Sequence, residues 1–109
     1  ESIEPPEATE HFLRGQAEFD AGMVWDSLDD TLQQQLVING LSQEAYQEQL
    51  DAAQSSGATI TDVLYVGGMQ LDDGRSVYLY VVTLEASEGS VQLPYTFTVN
   101  AGGKIELVQ

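Results

Sequence analysis

LSQEAYQEQLDAAQSSGATITDVLYVGGM, residues 41–69, holds the change that decides the fold. Before Ser55-Ser56-Gly57 the apolar residues recur at helical spacing; after it they alternate. Ser42 is a good helix N-cap. Leu41 just before it and Tyr46 at the fourth helical position have the spacing of a hydrophobic staple. Ala45, Tyr46, Leu50 and Ala53 then share an inward face, and Gly57 stops the helix. Beyond it a first strand is expected from Ile60 to Leu71. Its Gly67-Gly68 pair is costly in a regular strand and marks a bulge or bend.

The alternation continues to the C-terminus. Asp73-Gly74 is a hairpin turn signal. A second strand, Arg75 to Ala86, is apolar on both faces: Val77, Leu79 and Val81 on one, Tyr78, Tyr80, Val82 and Leu84 on the other. Both faces should therefore be at least partly covered. After Glu88-Gly89 a third strand carries Val91, Leu93, Tyr95, Phe97 and Val99 on one side. Pro94 removes a ladder donor, which places that part at an edge or a bulge. Asn100 to Gly103 turns the chain into a last strand with Ile105, Leu107 and Val108.

Toward the N-terminus the period is helical. A first helix is expected from Pro6 to about Asp20, with Glu7 and Glu10 suited to its positive start. Its apolar face holds Ala8, Phe12, Leu13, Gly15, Ala17 and Phe19, and Asp20-Ala21-Gly22 breaks it. A second helix places Trp25, Leu28, Leu32 and Leu36 on one stripe. Asp29-Asp30 is a point where it can divide, and Asn39-Gly40 ends it. Trp25 is expected to be buried between this helix and the sheet. The order is α+β: three N-terminal helices packed on a curved four-stranded antiparallel meander, cone-like and cystatin-like.

At 109 residues this is one domain by length, with 42% apolar residues to build a core. There is no cysteine, which removes disulfides and thiolate metal sites. Eighteen Asp and Glu face only Arg14, Arg75 and Lys104, for a formal charge of -15. Nucleic acid is disfavoured, since phosphate contacts need clustered Lys and Arg. Such a charge suits a solvated surface in exported or salty conditions, or attraction of a cationic ligand. No run is long and apolar enough to span a bilayer. The chain does not begin with Met, and Glu1–Glu7 reads as an acidic, proline-bearing linker before a single domain over residues 8–109. An exported or cell-envelope protein, lipid-anchored upstream of residue 1, would have this start.

The segment FLRGQAEFDAGMVWDSLDDTLQQQL resembles the opening of nuclear-transport-factor-2-like domains, also called SnoaL-like or ketosteroid-isomerase-like. Phe12, Leu13, Phe19, Asp20, Trp25 and Leu28 occupy the family's packing roles, and TFTVNAGGKIELVQ resembles its final hairpin. The resemblance implies a curved sheet wrapped on helices around a pocket. Its members include isomerases, dehydratases and cyclases, and also binding or dimerisation modules. Isomerase-type members carry a Tyr on helix one and an Asp pair in the pocket; here helix one offers Phe12 and Phe19 instead. Fold alone does not carry function.

Two groups are candidates for acid–base chemistry. His11, the sole histidine, neighbours Glu10 and lies one turn from Glu7. Asp62 has the parity of Ile60, Leu64 and Val66 if no bulge precedes it, so an acid would stand among apolar neighbours, a setting for a proton relay. Both are also ordinary surface positions. Asp26, Asp29, Asp30, Asp72 and Asp73 suit turns and solvent faces, and no calcium-loop pattern or metal-spaced histidine set is present. No metal or cofactor is therefore expected. Trp25, Tyr65, Tyr80 and Tyr95 are candidate ligand contacts, their apolar bodies and polar tips suiting a pocket wall or an interface. The expectation is a non-catalytic ligand-binding or assembly module for a small apolar or cationic ligand, forming a homodimer through a sheet face. The alternatives are a small pocket enzyme of the isomerase or dehydratase type and a pure dimerisation domain.

Overall fold

The computed structural model describes residues 4–109. Four helices precede a four-stranded sheet. Helix α1 (Glu7–Glu18) ends where Phe19 takes a left-handed conformation, φ 58°. The amide of Asp20 then donates to the Gly15 carbonyl at 2.8 Å, which closes the last turn. Glu7, placed in the acidic linker expected over residues 1–7, belongs to α1. Residues 1–3 of that expected linker lie outside the described residues.

The Asp20-Ala21-Gly22 break is a cap rather than a loop. The Asp20 side chain accepts from the amides of Gly22 and Met23 and opens α2 (Ala21–Asp26), so Gly22 is helical. The second helix does divide at Asp29-Asp30, giving two helices. Its middle is recruited into the sheet edge: the Ile105 amide donates to the Ser27 carbonyl at 2.9 Å, and the Asp29 amide donates to the Ile105 carbonyl at 2.8 Å. These bonds use backbone groups that a continuous helix would have needed. Asp29 then caps α3 (Asp30–Ile38) by accepting from the Leu32 amide at 2.8 Å. Ser42 caps α4 (Gln43–Ser55) through the Ala45 amide. The staple residues Leu41 and Tyr46 line one common hollow.

Strands β1 (Thr59–Gln70), β2 (Ser76–Ala86), β3 (Gly89–Val99) and β4 (Ile105–Val108) form an antiparallel meander in sequence order. Pro94 falls where β4 no longer flanks β3, since β4 pairs only with Phe97–Val99. Its missing N–H leaves no ladder bond unmade on that side. Strand β1 slips register twice against β2, once between Ile60 and Asp62 and once between Tyr65 and Gly67. The second slip is the bulge that the glycine pair announced. Gly68 pairs with Tyr78. A Cβ there would stand 2.6 Å from the Tyr78 ring and 2.9 Å from the Tyr65 hydroxyl, so only glycine lets both rings pack.

The helices cover the face that carries Tyr78, Tyr80, Val82, Phe97, Val99 and Ile105. These residues close on Phe12 and Leu13 of α1, Val24 and Trp25 of α2, and Leu28. Trp25 is buried, as its place on the apolar stripe implied. Phe97 sits at the centre, edge-on to Phe12 at 5.1 Å and to Tyr80 at 5.6 Å. One polar contact crosses this core: Thr9, fully buried on α1, shares a 2.7 Å hydrogen bond with the Tyr80 hydroxyl. No helix among the described residues is long and apolar enough to cross a membrane.

Candidate functional site

The inner sheet face is not fully covered. At one end, where α1 finishes and α4 runs toward β1, a hollow of about 180 Å³ opens between the two helices and the sheet. Phe19 from α1, Leu50 and Ala53 from α4, and Ile60, Leu84 and Leu93 from the strands make its wall apolar. Alternation explains the strand side: paired residues point the same way, so Ile60 with Leu84, and Val82 with Leu93, all reach the helix-facing side. The polar side chains on the wall are Gln16, Thr59 and Tyr95.

A second apolar hollow of about 280 Å³ lies beneath α3, with Leu32, Leu36, Leu41, Tyr46 and Val108 among its walls. The two are linked by one contact. The Gln16 side-chain amide on the first hollow donates to the Tyr46 hydroxyl on the second. Burial pushes the Tyr46 hydroxyl up to about 12; the nearby Tyr95 acts in the same direction and the Gln16 bond opposes both. Burial likewise raises Tyr95. Both hydroxyls are therefore neutral donors through the whole physiological range. The wall of the first hollow holds no charged residue.

The four expected ligand contacts are not brought together. Tyr95 lines the first hollow. Tyr65 and Tyr80 line a surface groove on the other side of α1, beside Leu13 and Arg14. Trp25 belongs to the core instead. The acid–base candidates are also apart. His11 lines a shallow surface hollow with Glu7, Asp26 and Lys104, where the Lys104 ammonium donates to the Asp26 carbonyl at 2.7 Å. Asp62 is exposed and pairs with Thr83. The bulge before it reverses the expected parity: Ile60 turns inward, and Asp62 joins Leu64 on the outer face. Among the described residues, no group of His, Cys, Asp and Glu is arranged to hold a metal ion.

Neither Gln16 nor Tyr46 is expected from the sequence pattern as a polar contact of the site. A signal for Gln16 existed. It lies one turn after Phe12 and interrupts the apolar stripe of α1, a position where a polar side chain faces the interior.

No family model matches the sequence, and no curated protein matches it. Similarity is found among solved structures. The Orange Carotenoid Protein of Anabaena (Nostoc) sp. PCC 7120, described as binding canthaxanthin, superposes on 99% of this chain with a TM-score of 0.65 and 10% identity. The match covers 35% of that protein, so this chain spans about a third of its length. An uncharacterized cystatin fold protein from Novosphingobium aromaticivorans matches over 94% of this chain and 92% of its own, with a TM-score of 0.54 and 13% identity. At these identities the likeness is one of fold, and the chain has a cystatin-like α+β fold in which helices pack on one face of an open antiparallel sheet.

Proposed function

We propose that this chain is a non-catalytic ligand-binding module of the nuclear-transport-factor-2-like type, belonging to an exported or cell-envelope protein. The observation that carries the proposal is the apolar hollow between α1, α4 and the inner sheet face. Apolar hollows holding a few placed polar groups are the usual form of a small-molecule site. At about 180 Å³ the hollow is below the usual range for drug-sized ligands, about 300–1,000 Å³, which points to a small molecule. The carotenoid protein that shares the fold is described as binding canthaxanthin, in support of the same use. The non-catalytic reading is preferred over an isomerase or dehydratase because His11 and Asp62 stand on separate surfaces. The acidic surface supports the exported setting.

The test is an NMR titration with ethylbenzene. Amide shifts should concentrate at Phe19, Leu50 and Leu93, and Ala53→Phe, which fills the hollow, should abolish them while the spectrum stays dispersed. Shifts that persist in a folded Ala53→Phe variant would place the ligand elsewhere.

A second reading concerns assembly, and it rests on the outer sheet face. Leu64 and Met69 on that face are 57% and 60% exposed, and Val77, Leu79 and Val81 lie beside them on β2. A contiguous apolar patch of this kind marks an interaction surface. A homodimer through this face is the proposed arrangement. It should sediment as a dimer at micromolar concentration, and Leu64→Asp should shift it to monomer. Monomer alone at high micromolar concentration in the unaltered chain would end this reading.

A further inference from the structure

We infer that Asn39-Gly40 is a self-modification site, at which the Gly40 backbone nitrogen attacks the Asn39 side-chain carbonyl and the resulting aspartate or isoaspartate loosens the C-terminal end of α3. Neither residue lines the first hollow, and the chemistry does not depend on what that hollow holds.

Water alone balances the step. The Gly40 amide passes its proton to water, and its nitrogen bonds to Asn39 Cγ. The Cγ–Nδ2 bond breaks, and the leaving nitrogen takes up a proton and departs as ammonia. Water then opens the cyclic imide. Opening at Cγ restores the main chain with an aspartate. Opening at the backbone carbonyl leaves isoaspartate, with the main chain routed through the side chain. Either product carries a new negative charge.

The fold singles out this position among the places where such a reaction could start. The asparagines of the chain are Asn39 and Asn100. The Asn100 side-chain oxygen accepts from the amides of Gly102 and Lys104, each at 3.0 Å, and its Nδ2 donates to Asp29 at 3.3 Å. That carboxamide is held at both atoms, and Ala101 follows it. Asp73-Gly74 has the glycine, but the Asp73 carboxylate is paired with Arg75 at 2.7 Å. The Arg75 hydrogen bond lowers Asp73 from its ordinary value, so the neutral acid that could lose water is scarce. Asn39 differs on each count. It is exposed, and its side chain makes no hydrogen bond among the described residues. Gly40 has φ 92°, and nothing lies within 4 Å of the place a Cβ would take, so the approach is open. The one restraint is the Gly40 amide's bond to the Val37 carbonyl at 3.0 Å. It sits at an exposed helix end, where such bonds open by fraying.

The consequence follows from how α3 is held. None of its residues is buried. Its start is stapled by the Asp29 cap, by Asn100 on Asp29, and by the Gln33 side chain donating to the Trp25 carbonyl at 2.8 Å. Its end is closed by the amides of Asn39, Gly40 and Leu41 on the carbonyls of Gln35, Val37 and Leu36. Isoaspartate inserts an extra main-chain atom within that set of bonds. The new carboxylate also stands at the negative end of the helix dipole. It does so in a stretch, residues 15–74, that holds no Lys, Arg or His to pair it. Leu32 and Leu36 of α3 roof the second hollow, so loosening from this end uncovers it.

The experiment ages the unaltered chain and Ala101→Gly, in which both asparagines precede glycine, in mildly alkaline buffer at physiological temperature, folded and in urea. Peptide mapping by mass spectrometry should show the Asn39 peptide gaining about 1 Da as ammonia leaves. In the folded chains Asn39 should convert at least about tenfold faster than Asn100, in Ala101→Gly as well. In urea the two asparagines of Ala101→Gly should convert at similar rates. Hydrogen exchange reads the consequence. Asn39→Asp should speed exchange at Leu36–Ile38 about two- to fivefold through charge alone, and the aged chain at least as much. Asn39→Gln aged in parallel should keep its starting rates, and the sheet amides should not change. If Asn39 is intact in the folded chain when the urea-treated chain has converted, the site is overturned. It is also overturned if Asn100 of folded Ala101→Gly converts as fast as Asn39. If conversion leaves exchange in α3 unchanged, the loosening is overturned.

Discussion

Phe97→Ala should destabilise the fold by about 3–5 kcal/mol, the range for removing a large buried aromatic ring. Phe97 is 0% exposed and stands where helix layer and sheet meet. Its ring touches Phe12 at 5.1 Å, Tyr80 at 5.6 Å and Tyr95 at 6.1 Å, all near edge-on. Three neighbours oriented by one ring cannot all collapse into the space it leaves, so the cavity term adds to the lost transfer energy. Against a domain stability of about 5–15 kcal/mol, this brings the chain close to unfolding at ambient temperature. Urea denaturation followed by circular dichroism measures it. A loss below about 1 kcal/mol would show that the ring is not central to the core.

Gly15→Ala should destabilise by about 1–3 kcal/mol, the usual cost of overpacking. The sign is the informative part. At an unconstrained position inside a helix, alanine is more favourable than glycine by about 1 kcal/mol. At Gly15 a Cβ would lie 2.7 Å from Val24 Cγ2, 2.9 Å from the Val24 amide nitrogen and 3.0 Å from the Asp20 carbonyl oxygen. Two of those atoms are backbone and cannot rotate away. The Asp20 amide is also bonded to the Gly15 carbonyl, so the segment that must yield is tied to the residue displacing it. Helix α2 would have to lift from α1, taking buried Val24 and Trp25 with it. Thermal melting of the two chains side by side gives the sign, and a stabilised Gly15→Ala would show that α1 and α2 are not this close.

Features encoded by neighbouring residues are legible in the sequence. The switch at Ser55-Ser56-Gly57 marks the end of α4 and the start of the sheet, with Gly57 at φ 85°. The Ser42 cap and the burial of Trp25 follow from local spacing in the same way. What escaped depends on partners distant in the chain. Asp29-Asp30 marks where the second helix can divide, but nothing between Trp25 and Leu36 reveals that Ser27 and Asp29 bond to Ile105, which is what divides it. The face of Asp62 depends on a slip at residue 61, which exists only relative to β2. Tyr95 was expected as a ligand contact, but its neighbours were not. The hollow takes shape only when the meander brings β3 across from α1 and α4.

The two slips in β1 bear on how this chain behaves in company. Among the described residues β1 is the outermost strand, twelve residues long, with β2 on one side and no strand on the other. A flat outer strand of that length, carrying Leu64, Val66 and Met69 exposed, would be a template for another chain to extend the sheet. Each slip twists the strand and interrupts the regular row of donors and acceptors that such growth requires. The stretch of β3 left uncovered by β4 carries Pro94, which offers no N–H to a newcomer. Both open margins thus resist runaway strand addition, and the chain keeps an apolar outer face without inviting fibrils.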